Sequence, residues 1–335
     1  MKLIGNTDIL SQIDIAIRSA TKQNRSIPHM LFSGAAGCGK TSTARYIANI
    51  TTSNFLTMSR DSLKDRADVL SVVEQLDITG YNEYGRKTSK IKPTIVFIDE
   101  IHGLPLSGQE HLGVLMEEWY VPVGHKESSE NDEICWSPEF TLIGATTNDG
   151  RLSKPFRDRF KLRFVFSPYN FEESRQIVLV HAERLKTNIT DAASIEIAKR
   201  GRGVPRVLVK LLERCRDLAV AYKQTEINEA VALVMFNEMH IDETGLDETD
   251  VKILKALHEI NEPVGLENLA VRLNENTKVL SETVEPYLIQ RGLILRSSRG
   301  RRITEEGRKY LRGKGYIDVK KVRKYNIPKS FDRGL

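Results

Sequence analysis

Cysteine is scarce in this chain, and its scarcity excludes most stapled and metal-built folds. The three cysteines, Cys38, Cys135 and Cys215, lie too far apart for zinc-ligand spacing, which suits a reducing compartment. Long apolar runs are missing too. The segment AVALVMF at 230–236 is among the longest, far below the roughly 20 residues a membrane span needs. Residues 3–17 are interrupted by Asp8, Gln12 and Asp14, so no secretory signal is expected and the cytoplasm is the expected location. Internal repeats are lacking, and low complexity is confined to the basic C-terminal end. What remains is an ordinary globular composition, 40% apolar and 28% charged, over 335 residues, enough for two or three cores.

Against that plain background one stretch stands out. Gly34-Ala-Ala-Gly-Cys-Gly-Lys40-Thr41 fits G-x-x-x-x-G-K-[ST], between a short apolar run at 29–33 and a helical pattern at 41–50. Glycines let a backbone wrap phosphates, so that successive N–H groups and a helix N-terminus meet negative oxygens. Lys40 is placed to reach the terminal phosphates, and Thr41 to offer its hydroxyl to Mg²⁺. A glycine-rich turn matching by chance is the competing reading.

Downstream, the continuous apolar run at 94–98 reads as a central parallel strand ending in Asp99-Glu100-Ile101-His102. At a strand's carboxyl end Asp99 can hold a metal's water shell while Glu100 orients and deprotonates a water. A third run at 140–145 ends in Thr146-Thr147-Asn148, polar groups suited to a water or a γ-phosphate; ordinary polar caps are the alternative. Arg157 and Arg159 follow in PFRDRF, where an arginine can stabilise transition-state charge in a neighbouring subunit or merely pair with Asp158. Arg206, just after Pro205, falls in the first turn of a helix expected to run to about Tyr222.

The C-terminal end carries a different signal. From Arg296 onward there are 14 lysines and arginines against four acids, a net of +10; with +5 overall, the rest of the chain carries −5. Such asymmetry points to a polyanion held at this end. Helical spacing at 249–260, 266–273 and 277–291, the last with Pro286 inside it as a kink or early stop, precedes an alternating hairpin pattern at 293–304 around a Gly300 turn. Three helices and a basic hairpin make a winged helix-turn-helix. Arg296, Arg299, Arg301 and Arg302 are expected on the DNA backbone or minor groove without sequence preference. Residues 171–239 read as a helical lid.

The series Ile4-Gly5, GAAGCGKT, IDEIH, FTLIGATTN, PFRDRF and RGVPR resembles the AAA+ ATPases, and more closely the RuvB family of Holliday junction branch-migration motors. The segments EPVGLENLA (262–270), VEPYLIQRG (284–292) and SRGR (298–301) are similar to that family's winged helix and its wing. The resemblance runs from about residue 3 to 312. It implies an α/β fold: an AAA+ P-loop domain (1–170) with a parallel sheet and flanking helices, a helical lid (171–243), a winged-helix DNA-binding domain (244–312) and a basic tail (313–335). It implies ATP and Mg²⁺ as cofactors, with Gly34, Ala36, Gly37, Cys38, Gly39, Lys40, Thr41 and Ser42 around the phosphates and Ile4 and Tyr169 near the nucleotide. Thr41 and Asp99 would hold the metal, and Asp99 and Glu100 would perform hydrolysis. Thr147, with Asn148 beside it, would be the first sensor. Arg159, with Arg157, would be the finger acting in trans, and Arg206 the second sensor.

The implied partners are double-stranded DNA, four-way junctions, further copies in a hexameric ring, and a junction-binding partner resembling RuvA. Departures from the pattern accompany the match. The family's Arg-Pro segment ahead of the Ile-Gly pair is lacking, which bears on base selectivity. Ala35, Ala36 and Cys38 stand where the family's loop has prolines and a leucine, and the connection at 80–92 is longer. The hairpin at 119–139, by which the family docks on RuvA, has a polar, acidic middle at 124–133, so docking through an apolar tip is not expected of it. The alternative reading is an AAA+/winged-helix replication initiator or loader that binds DNA without translocating.

Overall fold

Five short apolar runs form one parallel sheet in the computed structural model, which describes residues 3–78, 93–122 and 134–317. The 80–92 connection, the acidic hairpin middle and the tail beyond 317 lie outside those residues. In chain order the first unit runs α1 (Thr7–Lys22), β1 (Met30–Gly34), α2 (Lys40–Ile50), β2 (Asn54–Met58), α3 (Arg66–Ile78), β3 (Thr94–Ile98), α4 (Leu106–Glu118), β4 (Tyr120–Pro122), β5 (Ile134–Trp136), β6 (Phe140–Thr146), α5 (Lys154–Asp158) and β7 (Leu162–Phe166). The sheet order is β2-β3-β6-β1-β7, with β4 and β5 pairing separately as an antiparallel hairpin.

The sheet forms because both faces of each central strand are apolar, which only helices on both sides can bury. Met30 and Phe32 of β1 pack with Ile47, Phe97, Ile143 and Phe166 on one side. The intervening Leu31 packs with Val96, Ile98, Leu142 and Leu112 on the other. Each buried Phe or Leu contributes about 1.5–3 kcal/mol. The registers set Ser33 against Thr146 and Ile98 against Gly144, so the carboxyl ends of β1, β6 and β3 lie side by side.

The lid follows in the same unit as α6 (Phe171–Arg184), α7 (Asp191–Arg200), α8 (Pro205–Ala221) and α9 (Glu229–Glu238). Its helix starts are polar caps. Asn170 accepts from Glu173 N–H at 2.9 Å, and the Glu173 carboxylate accepts from Asn170 N–H at 2.9 Å. Thr190 and Asn228 cap α7 and α9. Ile177, Ile197, Leu211, Leu212, Cys215 and Phe236 fill the interior. Burial pushes the Cys215 thiol up to about 12, so it packs as a small apolar group.

The second unit comprises His240–Asp242 and Leu246–Leu335. Its elements are α10 (Glu248–Ile260), α11 (Leu266–Leu273), α12 (Thr277–Val279), α13 (Glu285–Gln290), β8 (Ile294–Ser297), β9 (Gly300–Ile303) and α14 (Glu305–Gly313). The third helical run continues past Pro286, but not as one regular α-helix, and Pro286 falls in the first turn of α13. The five residues ahead of α13, Leu280–Val284, widen into a π-turn that accommodates the missing N–H and the proline ring. The hairpin reverses at Ser298 and Arg299, and Gly300 begins β9 rather than occupying the turn. Val264 adds a bridge on the other side of Arg301, with N–H···O contacts of 2.8 and 2.9 Å in the two directions.

The stacked pair Phe55 and Phe97, 5.7 Å between centroids, sits under the sheet beside α2. Replacing Phe97 by Ala is expected to cost about 3–5 kcal/mol in the unfolding transition of the first unit, measured by chemical denaturation. A loss below about 1 kcal/mol would mean this side of the sheet is not the packed core described.

Candidate functional site

Where β1 ends, the chain turns through residues 34–39 and enters α2, so the first helical N–H groups converge on one point. Gly37 and Gly39 have φ of 81° and 92°, left-handed values that favour glycine. Space is short as well. A Cβ on Gly37 would lie 2.9 Å from atoms of Val204 and Arg206, and one on Gly39 would lie 2.9 Å from the Tyr169 hydroxyl. The loop is therefore packed directly against the lid.

Lys40 is 6% exposed and donates to the Gly34 and Ala35 carbonyls at 2.7 and 2.9 Å. Burial pushes its pKa down, with Arg206 adding to the depression while Glu100, Cys38 and Asp99 oppose it. A cation short of hydration and held by carbonyls is suited to anionic oxygens. Cys38 points the other way, into the core beneath the loop. It is fully buried, desolvation raises its pKa, and it does not line the cavity above the loop.

A cavity of about 660 Å³ opens over the loop. Ala36, Gly37, Gly39, Lys40, Thr41, Ser42, Asp99 and Glu100 line one wall, and Arg206 lines the lid wall. Beside it a slot lined by Ile4, Tyr169, Gly39 and Ser42 continues to Ile177 and Arg184. Asn6 donates to the Tyr169 hydroxyl at 2.8 Å, and Tyr169 N–H donates to Gly203 O at 2.8 Å. Gly34 contributes its carbonyl to Lys40 and does not line the cavity.

Glu100 occupies a left-handed backbone position, φ 48°, which turns its side chain off the end of β3. Its Oε2 accepts from Thr147 N–H at 3.2 Å and from the Thr147 hydroxyl at 3.0 Å. Asp99 accepts from Glu100 N–H at 3.0 Å. Asn148 is exposed; its N–H donates to Thr146 Oγ1 at 2.9 Å, one residue beyond the Glu100 contacts.

Arg157 and Arg159 do not join this cavity. Arg159 pairs with Glu117 of α4 at 3.0 Å and lines a separate hollow with His29 and Trp119. Asp158, the partner considered from sequence, lies instead 3.8 Å from Arg163. Four side chains not singled out from sequence do belong near the site. Lys210 and Glu213 follow Arg206 at helical spacing on one face of α8, a signal available once Arg206 is placed. His181 sits where cavity and slot meet; desolvation and then Arg184 lower its pKa, and Glu213 raises it. His102 reaches Glu100 from the turn after β3.

On the wing, Arg296, Arg299 and Arg302 are exposed. Arg301 is not, and its expected place on DNA is corrected. It is 8% exposed, with Nε donating to Glu285 Oε1 at 2.6 Å and Nη2 to Oε2 at 3.2 Å. Arg301 shares the inner strand face with buried Ile303 two residues on, and that alternation was readable in advance. Among the described residues no group of three or more His, Cys, Asp or Glu is arranged to hold a metal by itself. Nor, among the described residues, is any helix long and apolar enough to cross a membrane.

Three family descriptions match the chain in order: Holliday junction DNA helicase RuvB P-loop domain over residues 1–165, RuvB AAA lid domain over 169–242, and RuvB C-terminal winged helix domain over 243–312. The chain is 35% identical over 307 residues to the Holliday junction branch migration complex subunit RuvB of Rickettsia africae, covering 90% of this chain and 85% of the relative. It is 36% identical over 312 residues to the protein of that name from Fervidobacterium nodosum, covering 92% and 86%. The solved RuvB Holliday junction branch migration motor of Thermotoga maritima superposes with a TM-score of 0.77 at 34% identity, covering 92% of this chain and 95% of that one.

The wing correction has a direct consequence for stability. Glu285→Ala strands a buried guanidinium and is expected to cost about 3–5 kcal/mol in the second unit, read by hydrogen exchange of its amides. Arg302→Ala should stay within about 0.5 kcal/mol of the parent. Equal small effects would mean that Arg301 faces solvent.

Proposed function

This chain belongs to the RuvB family, and on that premise we propose that it is an ATP-driven motor that moves the branch point of Holliday junctions in recombination and repair. One observation carries the reading. The phosphate loop, the Asp99-Glu100 pair and Arg206 of the lid line a single cavity in a chain that also bears a winged helix with exposed arginines. An initiator or loader that binds DNA without translocating is set aside, because all three domains match RuvB descriptions.

The residues fit a nucleoside triphosphate with Mg²⁺. Lys40 is a desolvated cation facing the cavity, and Gly37 and Gly39 of the loop line the same wall ahead of the α2 N-terminus. In the proposed mechanism Lys40 and the loop backbone hold the phosphates, and Thr41 and Asp99 hold the metal, which supplies charge neutralisation when bound. Glu100 takes a proton from the attacking water. Thr147 orients Glu100, and Arg206 contacts the phosphates from the lid. Ile4 and Tyr169 border the slot for the base.

Arg159, with Arg157, acts on the site of an adjacent subunit in a hexameric ring. Its distance from the cavity of its own chain supports that role. Arg296, Arg299 and Arg302 grip the DNA backbone, so binding weakens steeply with salt. Translocation is of the helicase type, in the cytoplasm. A junction-binding partner resembling RuvA docks on the β4–β5 hairpin, at whose base Trp136 is 67% exposed against the edge of Tyr120.

The protein should move a synthetic four-way junction with ATP and not with a non-hydrolysed analogue. Glu100→Gln should abolish turnover while keeping ATP binding, measured by steady-state hydrolysis and equilibrium titration. Parallel loss of binding would remove the base role from Glu100. Mixing in Arg159→Ala subunits should depress activity more steeply than their fraction in the ring. A strictly proportional fall would show that Arg159 serves only its own chain.

A further inference from the structure

A general base needs one carboxylate oxygen held and the other left to receive a proton. On Glu100 the held oxygen is Oε2, which accepts from Thr147 N–H and from the Thr147 hydroxyl. A third group sits there as well: His102 Nδ1 lies 3.0 Å from the same oxygen. That nitrogen is also 2.9 Å from Thr146 Oγ1, which accepts from Asn148 N–H at 2.9 Å. Oε1 has no hydrogen-bond partner among the described residues.

A carboxylate oxygen only accepts, so the tautomer that suits both neighbours carries its hydrogen on Nδ1, between Oε2 and Thr146 Oγ1. The setting is firm. The His102 side chain is 9% exposed, and the turn Ile101–Gly103 that bears it is anchored by fully buried Ile101. Thr146 is fully buried at the end of β6. The ring thus spans two strand ends, from the turn after β3 to the last residue of β6.

We propose that His102 is a positioning residue for Glu100. Its Nδ1–H, braced by Thr146, fixes Oε2 and leaves Oε1 as the oxygen that takes the proton. A water O–H bond breaks toward Oε1 as the water oxygen bonds to the γ-phosphorus and the bond to the β-phosphate oxygen breaks. The proton then passes to the released phosphate. This assignment rests on Glu100 being the base.

The test compares His102→Phe, similar in size but without a donor, with His102→Asn, whose amide N–H can stand where Nδ1–H stands. The Phe variant should lower kcat for ATP hydrolysis by about 10–100-fold with KM within about twofold. The Asn variant should return to within about fivefold of the parent. Independently of turnover, ¹⁵N-histidine NMR of the full chain without nucleotide should show His102 in the Nδ1–H form, its signal assigned by its loss in His102→Asn. A Phe variant within twofold of the parent, equal losses for Phe and Asn, a KM rise matching the kcat fall, or a hydrogen on Nε2 would each overturn the proposal. If the Phe variant melts early, His102→Ala replaces it, and the NMR result decides without either. Glu100→Gln run alongside separates the two ideas: retained turnover there removes the base itself, whereas a dead Glu100→Gln with tolerant His102 variants removes only the brace.

Discussion

The hydrogen-bonded register of β6 with its two neighbours is the constraint that the catalytic geometry inherits. β6 separates the phosphate-loop strand from the strand bearing Asp99 and Glu100, and it is parallel to both. With Thr146 opposite Ser33, and Gly144 opposite Ile98, the polar ends of all three strands emerge on one edge. A slip of one residue would turn Phe140, Leu142 and Thr146 to the opposite face and carry Thr147 away from Glu100. The core on both faces resists that slip, because Leu142 and Ile143 are each fully buried on opposite sides. Packing far from the chemistry therefore sets distances within it.

Much of this was legible in the sequence, for reasons that differ by residue. The loop at 34–41 could be read because phosphate binding demands glycines at positions where the backbone adopts left-handed angles and a side chain would collide with the lid. The Asp99-Glu100 pair could be read because an apolar run covered on both faces leaves its first polar residues at the sheet edge. The winged helix was visible through its periodicity, and the outer limits of its three expected helical runs match to within a residue, whereas the third run is divided and α14 was not anticipated. Residue type alone misled at Arg301. A basic side chain in a basic hairpin suggests DNA, yet strand alternation placed it with Ile303 on the inner face, and Glu285 receives it there. His102 escaped notice because its role depends on a contact across 44 residues, to Thr146, that no local pattern encodes. The π-turn ahead of Pro286 was hidden for a similar reason. Sequence shows that the proline must be accommodated but not which accommodation the packing of Leu280 and Val284 favours.

The wing divides its arginines between two physical tasks. Arg301 is desolvated and satisfied by a bidentate carboxylate, so it fixes where the hairpin sits relative to α13. Arg296, Arg299 and Arg302 remain in water, the setting in which arginines can neutralise phosphates and release the counterions condensed on DNA. Contacts of that kind carry no sequence preference, as a motor working on any sequence requires.

Electrostatics prepares the cavity over the phosphate loop for an anion. Burial is the main cause that depresses the Lys40 pKa; Glu100, Cys38 and Asp99 oppose it, and Arg206 on the lid wall adds the last downward contribution. An anion in this space meets a cation on each wall. The lid meets the loop through the close approach of Gly37 to Val204 and Arg206 and through the Tyr169–Gly203 hydrogen bond, contacts that join the loop to the start of α8. The loop ahead of α8 is itself held within the first unit, since Arg202 Nε donates to Gly245 O at 2.8 Å.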